Sequence, residues 1–458
     1  MLDSDIISYV RLAKTLAALL IILTSGYAAD WLSLGADPQG SGWQRHGKTL
    51  TVENSKDLKL LWKRQLDDPS IVGGWLSAPV ILGPTITHRG VRELVFISDA
   101  HDNLYAIDAD LGTLFWKRHF EVSPMPERTA ESPCHPGMPA TPVIEPDPDE
   151  DVSGNPVTDD EDDDEPGPMR PLYAVSSDGR LHTIRVSDGT DTSVPIEFLP
   201  PHANYSSLNY WSGAVYAGSF DDCGRAPHGV WSINVKKSDA TPEFYSAGAG
   251  YRIVIGPTGE VYGAVGNGTV SLQPGSLRLK RLSKTSAVDL IAFNYQGREL
   301  IAGQAQDGSL FLLDALNLGF VAGYRDPRDQ LSGLASWQDP KGTRWVYTST
   351  RRNVQALKLS GPPGKPELKL AWTFANVTMV GPAAITNGIV FVLSGDVVAG
   401  AGRNTLRALD AETGKELFSS GPTIRSLPYV PYLAVANGHI CFGTTDNSLY
   451  CFGLPMER

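Results

Sequence analysis

Along most of this 458-residue chain, short apolar runs alternate in-out with polar positions, and each run stops at Asp, Asn or Gly. The pattern is clearest in VFISDAHDNLYAIDADLGTLFW (Val95–Trp116). It returns as NTLRALDAETGKELF (Asn404–Phe418) and HICFGTTDNSLYCFG (His439–Gly453). A period of two marks half-buried strands, and turns built from residues that tolerate positive φ join such strands into hairpins. The pattern predicts eight hairpin cores, near Phe96–Ile107, Tyr173–Ile184, Val215–Ile233, Val261–Leu272, Ile301–Leu313, Val346–Leu357, Val390–Leu409 and Ile440–Phe452. Units repeating at roughly 40–50 residues bury their faces only by stacking, as in propellers and solenoids. The reading is therefore all-β: a single β-propeller of eight four-stranded blades, with seven as the alternative count. The last hairpin ends close to the C-terminus, so the opening segment Asp30–Trp62 is expected to supply the strand that closes the ring and removes its edges.

Composition supports this and locates the charge. Gly (46) and Pro (33) are frequent, as turn-rich folds require. Formal net charge is −12, but Glu145–Glu165 holds twelve acidic residues and no basic one, and the remaining 39 acidic residues balance the 39 Lys and Arg. A neutral body offers no electrostatic footprint for nucleic acid, so no nucleic-acid partner is expected. The stretch 145–168 reads as a disordered acidic insertion that cannot bury a core. Residues 1–29 read as a signal peptide: Arg11 and Lys14 precede the apolar run Leu16–Thr24, and small residues follow for cleavage before Asp30. The mature chain, 30–458, is then expected to be periplasmic or secreted, without a membrane anchor, and monomeric.

Export makes Cys134, Cys223, Cys441 and Cys451 disulfide candidates. A three-residue loop at Thr445–Asp446–Asn447 places Cys441 directly opposite Cys451, near bridging distance; a two-residue turn would spoil that register. Cys134 and Cys223 are then left to pair. The same two cysteines with His135 and His228 could compose a zinc site, but a disulfide fits an exported chain better, and no metal site is expected.

Read with its flanks, the repeat resembles the pyrroloquinoline-quinone (PQQ) repeat propellers of the quinoprotein alcohol dehydrogenase-like superfamily. The resemblance rests on the opening DWLSLGADPQGSGWQ…LKLLW and on L-Y-A-x-D-x-x-x-G-x-x-x-W at Leu104–Trp116 and, with Phe418 for the tryptophan, at Leu406–Phe418. It rests also on Asp222-Cys223-Gly224 with His228-Gly229-Val230-Trp231, on Gly256–Thr269, Asp307–Gly319 and Leu449–Arg458, and it covers the mature chain. It implies a propeller whose catalytic relatives hold PQQ in a central funnel with calcium, a tryptophan floor, adjacent cysteines and a carboxylate base. Here no two cysteines are adjacent, and C-x-x-C-H is absent.

Against that pattern, Trp62, Trp116 and Trp372 end repeat strands and read as blade-to-blade packing. Trp75 and Trp211 fall outside the register and are the candidate funnel-facing, cofactor-binding aromatics; no catalytic residue can be assigned. The leading functional reading is a non-catalytic or cofactor-degenerate scaffold that binds a protein or small-molecule ligand on a propeller face. The alternatives are a PQQ- and calcium-dependent alcohol or sugar dehydrogenase, recognisable by a carboxylate beside a cation at the funnel, and an outer-membrane assembly-type scaffold.

Overall fold

The computed structural model describes residues 29–66, 76–122, 137–138, 140–147, 170–220, 223, 226–248, 250–326, 331–375, 377–378, 381–395, 404–426 and 432–455. Their strands form eight antiparallel sheets in chain order, the blades of one propeller. Blade 1 runs Val80–Thr87, Gly90–Ser98, Asn103–Asp108 and Leu114–His119. Blade 8 joins Ala434–Ala436, His439–Gly443 and Ser448–Gly453 to the N-terminal strand Lys59–Gln65, which lies outermost. The ring therefore closes on a strand from the opposite end of the chain, as expected from the sequence.

All eight hairpin cores are present. Pairs such as Val215 with Ile233, Val261 with Leu272, Ile301 with Leu313, Val346 with Leu357 and Val390 with Leu409 sit directly opposite each other. The register holds because a one-residue slip would turn every buried side chain of a strand to the other face. Each blade buries one face against its predecessor and the other against its successor, so apolar clusters lie between blades. In the last hairpin Thr444 and Ser448 close a three-residue loop, Cys441 faces Cys451, and the two form a buried disulfide. Cys223 is buried and disulfide-bonded; Cys134 lies outside the described residues. So do the segment expected to be a signal peptide, apart from Ala29, and the acidic stretch beyond Asp147 up to residue 168.

Before reaching its strand in blade 8, the chain makes a full circuit of the ring centre. The Ala29 amide donates to Asn437 Oδ1 of blade 8 (3.3 Å), and Trp31 exchanges two backbone bonds with Ile81 of blade 1. The Leu32 carbonyl accepts from Ile144 of blade 2, and the Pro38 carbonyl from Asn209 of blade 3 and Ile255 of blade 4. Gln39, Ser41 and Gly42 then accept from Ala292, Ser336 and Ile385 of blades 5, 6 and 7. Trp43–Gln44 adds a short parallel pairing to the innermost strand of blade 7. The strap thus bonds to every blade, through backbone groups in blades 1, 2, 4, 5, 6 and 7, which buried peptide groups require, and through the side-chain amides of Asn209 and Asn437 in blades 3 and 8.

Candidate functional site

The strap builds a charged centre. Arg252 belongs to Gly250–Ile255, the innermost strand of blade 4. Its guanidinium lies 6.0 Å from the ring of Tyr432, which enters blade 8. Blades 4 and 8 face each other across an eight-bladed ring, so this contact places the guanidinium at the axis. The strap is cut to receive it: Gly35 (φ +85°) and Gly40 (φ +66°) turn beneath the head group, and a Cβ there would stand 3.0 and 2.6 Å from Nη2. In that cradle Arg252 Nη2 donates to the Leu34 carbonyl at 3.0 Å. Side chains at either glycine would evict the head group and also meet backbone strain.

Asp289, the first residue of the innermost strand of blade 5 (Asp289–Tyr295), stands beside it with Oδ1 3.6 Å from Arg252 Nε. Burial pushes the Asp289 carboxyl above its ordinary range, and the guanidinium opposes this without reversing it. Burial and the nearby Asp289 push the Tyr432 phenol up as well. Arg252 is only 8% exposed, yet among the described residues its buried Nε makes no hydrogen bond, the nearest acceptor being Asp289 Oδ1 at 3.6 Å. A buried guanidinium donor held only by an ion pair too long for a hydrogen bond is incompletely satisfied, so this atom is where a closer acceptor gains most. The axis thus offers a fixed cation, a carboxyl group held toward its neutral form and a phenol. Together they suit an acceptor-rich, anionic group.

Below this centre a second arginine secures the strap. Arg344 of blade 6 is 6% exposed and donates to the Asn294 carbonyl and to Gln338 Oε1, both at 2.9 Å. Its guanidinium lies 5.8 Å from the Trp43 ring and 5.3 Å from Phe293. Burial and the like charge of Arg45 hold its pKa down to about 9, while Asp37 works in the other direction. Arg45 closes the strap on itself through Asp37 at 3.0 Å.

The residues singled out from sequence separate cleanly. Trp62, Trp116 and Trp372 are blade-to-blade wedges, each donating its indole N–H to a carbonyl of the next blade: Ala109, Val186 and Ala411. Trp211 packs against Gly259 of the neighbouring blade, where a Cβ would stand 2.8 Å from its Nε1, and joins the apolar cluster between blades 3 and 4. Tyr432 is the aromatic next to Arg252, and Trp75 lies outside the described residues. Arg252, Asp289 and Tyr432 were missed by the sequence reading. The available signal was a lone charge at the head of an apolar run, in YRIVIG and again in VDLIAF.

No protein-family model matches the chain, and no curated protein sequence is similar to it. Similarity appears at the level of structure. The quinohemoprotein alcohol dehydrogenase of Comamonas testosteroni superposes with a TM-score of 0.61 at 13% identity, covering 96% of this chain and 82% of that one. The quinohemoprotein alcohol dehydrogenase ADHIIG of Pseudomonas putida HK5 gives 0.61 at 12% identity, covering 94% and 82%. A europium-containing methanol dehydrogenase gives 0.57 at 10% identity, covering 96% and 100%. At such identities the likeness establishes the fold alone, an eight-bladed propeller like that of these dehydrogenases.

Proposed function

We propose that this chain is an exported binding propeller, cofactor-degenerate relative to the quinoproteins it resembles in fold, whose central funnel takes a small anionic ligand. The observation that carries the reading is the buried Nε of Arg252 at the axis, which among the described residues makes no hydrogen bond and only a loose 3.6 Å ion pair to Asp289, in a cradle formed by the glycines of the strap. The buried Cys441–Cys451 disulfide supports an oxidising compartment, periplasmic or outside the cell. Among the described residues no helix is long and apolar enough to cross a membrane.

PQQ is a fit for part of this centre, and the described residues do not fit its calcium. The carboxylates of such a quinone would suit Arg252, and its quinone ring, when bound, would supply two-electron redox chemistry. Calcium needs six or more oxygen ligands. Among the described residues no three His, Cys, Asp or Glu side chains gather into a metal-binding group. A second reading, a PQQ- and calcium-dependent alcohol or sugar dehydrogenase, is favoured by one observation: a carboxyl group, Asp289, beside a cation at the axis.

Titrating the mature protein with PQQ, with and without Ca²⁺, while following tryptophan fluorescence separates the two. Binding that is indifferent to Ca²⁺, weakened at least about tenfold in Arg252→Gln, and accompanied by no oxidation of alcohols or sugars with an artificial acceptor supports the scaffold. Ca²⁺-dependent binding with turnover would overturn it in favour of the dehydrogenase.

A further inference from the structure

Blade 8 contains a lysine receptor made of two parts. Lys63, on the outermost strand, sits directly opposite Tyr450. Its ammonium lies 5.0 Å over the Tyr450 ring and 3.2 Å from the carboxylate of Asp446 in the adjoining turn. Blade 1 repeats the ring half, with Lys117 opposite Tyr105 and 5.4 Å over it. An ammonium over an aromatic face is attracted by the ring quadrupole, and the alkyl stem covers apolar surface on the way.

Blade 5 keeps the receptor and lacks the lysine. The turn and strand Asp307-Gly308-Ser309-Leu310-Phe311 match Asp446-Asn447-Ser448-Leu449-Tyr450 position for position. Asp307 corresponds to Asp446 and is fixed by Ser309, whose amide and hydroxyl donate to Oδ1 at 2.9 and 2.6 Å. Phe311 corresponds to Tyr450, and the residue directly opposite it is Gly323. Where the lysine stem would run, a cavity of about 410 Å³ opens on the outer wall, lined by Phe311, Phe320, Tyr324 and Arg325 among others. Phe320 is 64% exposed, unusual for a phenylalanine with no other role. The carboxylate's present partner is Arg325, loosely placed at 3.7 Å and 68% exposed.

We infer that this groove binds a primary alkylammonium ligand, whose stem lies over Gly323 among Phe311, Phe320 and Tyr324 and whose ammonium meets Asp307 in place of Arg325. The stem takes the course of Lys63 in blade 8. Nothing here depends on the central funnel, and Arg252→Gln should leave binding unchanged.

The test is an NMR titration of the full mature protein with n-pentylammonium chloride at neutral pH, with 1-pentanol as the uncharged control. Saturable shifts are expected with Kd on the order of 1 mM, as a single cation–π contact and a short alkyl stem allow, and no saturation by the alcohol in that range. Gly323→Lys supplies the missing stem from within. Its Cβ meets only the far edge of the exposed Phe320 ring and the Leu310 carbonyl at 3.1–3.3 Å, and it should weaken ligand binding at least about tenfold by occupying the groove. Asp307→Asn, an exposed change that leaves the fold intact, should weaken binding by about threefold. Equal saturation by 1-pentanol, or unchanged affinity in both variants, would overturn the inference; if Gly323→Lys fails to fold, Asp307→Asn decides alone.

Discussion

Two kinds of seam hold neighbouring blades together, and the same turn serves both. The turn before the outermost strand closes identically in five blades: Gly112, Gly189, Leu277, Leu318 and Gly414 each donate their amide to the carbonyl four residues back. All five have positive φ, between 51° and 77°. At Gly112, Gly189 and Gly414 the previous blade lays a tryptophan across the turn, and a Cβ would stand 2.6–2.7 Å from the indole of Trp62, Trp116 or Trp372. At Leu277 and Leu318 the tryptophan position of the previous blade holds Glu243 or Arg281, and the turn's own leucine fills the space, 3% and 2% exposed. Arg281 turns back to Glu260 and Ser271 of its own blade. The apolar wedge is thus delivered across the seam in one case and from within it in the other. The leucine version carries a left-handed, β-carbon-bearing residue that costs about 1–2 kcal/mol, which the buried side chain offsets.

The largest expected effect is at the tryptophan seams. Trp372→Ala should lose about 3–5 kcal/mol in chemical denaturation, since it removes a buried indole together with its hydrogen bond to Ala411. A loss below about 1 kcal/mol would mean that the ring is not a wedge. Next, Gly414→Ala should cost more than about 2 kcal/mol, because strain adds to a clash with the Trp372 ring. Gly275→Ala, at φ +73° with nothing within 4 Å, should show the strain alone, about 1 kcal/mol. Equal costs would remove the clash from the account.

The closing seam between blades 8 and 1 carries an ionic element besides Trp62. His439 of blade 8 lies 3.3 Å from Glu93 and 3.4 Å from Asp110, both on blade 1. Burial alone would lower its pKa, but the two carboxylates outweigh it and raise it to about 9. A raised folded-state pKa stabilises fully below the unfolded value near 6.5 and loses that contribution as pH rises through about 9. Stability should therefore fall by a few kcal/mol at most between pH 6.5 and 9, and His439→Gln should flatten that part of the profile. A wild-type profile flat across this window would refute the pairing. The smallest effect is a coupling. Leu318→Gly should cost about 1–2 kcal/mol, and adding Arg281→Trp should recover part of it, giving a coupling of at least about 0.5 kcal/mol. Strict additivity would show the two seams are not interchangeable.

The hairpins were legible because each is a local pattern: two period-2 runs and a turn whose chemistry fixes the register, down to Cys441 opposite Cys451. The closing strand was legible because a ring of repeats needs one. The circuit of residues 29–44 was not. Its bonds go to seven strands and one turn scattered along the chain, and its own sequence has no period to betray them. The leucine seam at Leu318 was hidden by one inserted residue, since D-A-L-N-L-G reads as the glycine turn while the left-handed position falls on Leu318. The central Arg252 and Asp289 look like single polar interruptions of strands until the ring brings blades 4, 5 and 8 together at its axis.

The most direct test of the axial binding centre is the Nε–H signal of Arg252 in a transverse-relaxation-optimised ¹⁵N–¹H spectrum, assigned by its loss in Arg252→Lys, during a PQQ titration without calcium. The account predicts that this signal moves in step with tryptophan quenching as the donor exchanges its 3.6 Å ion pair with Asp289 for a hydrogen-bonded acceptor. Quenching that saturates while the Arg252 signal stays still would place the ligand elsewhere and contradict it.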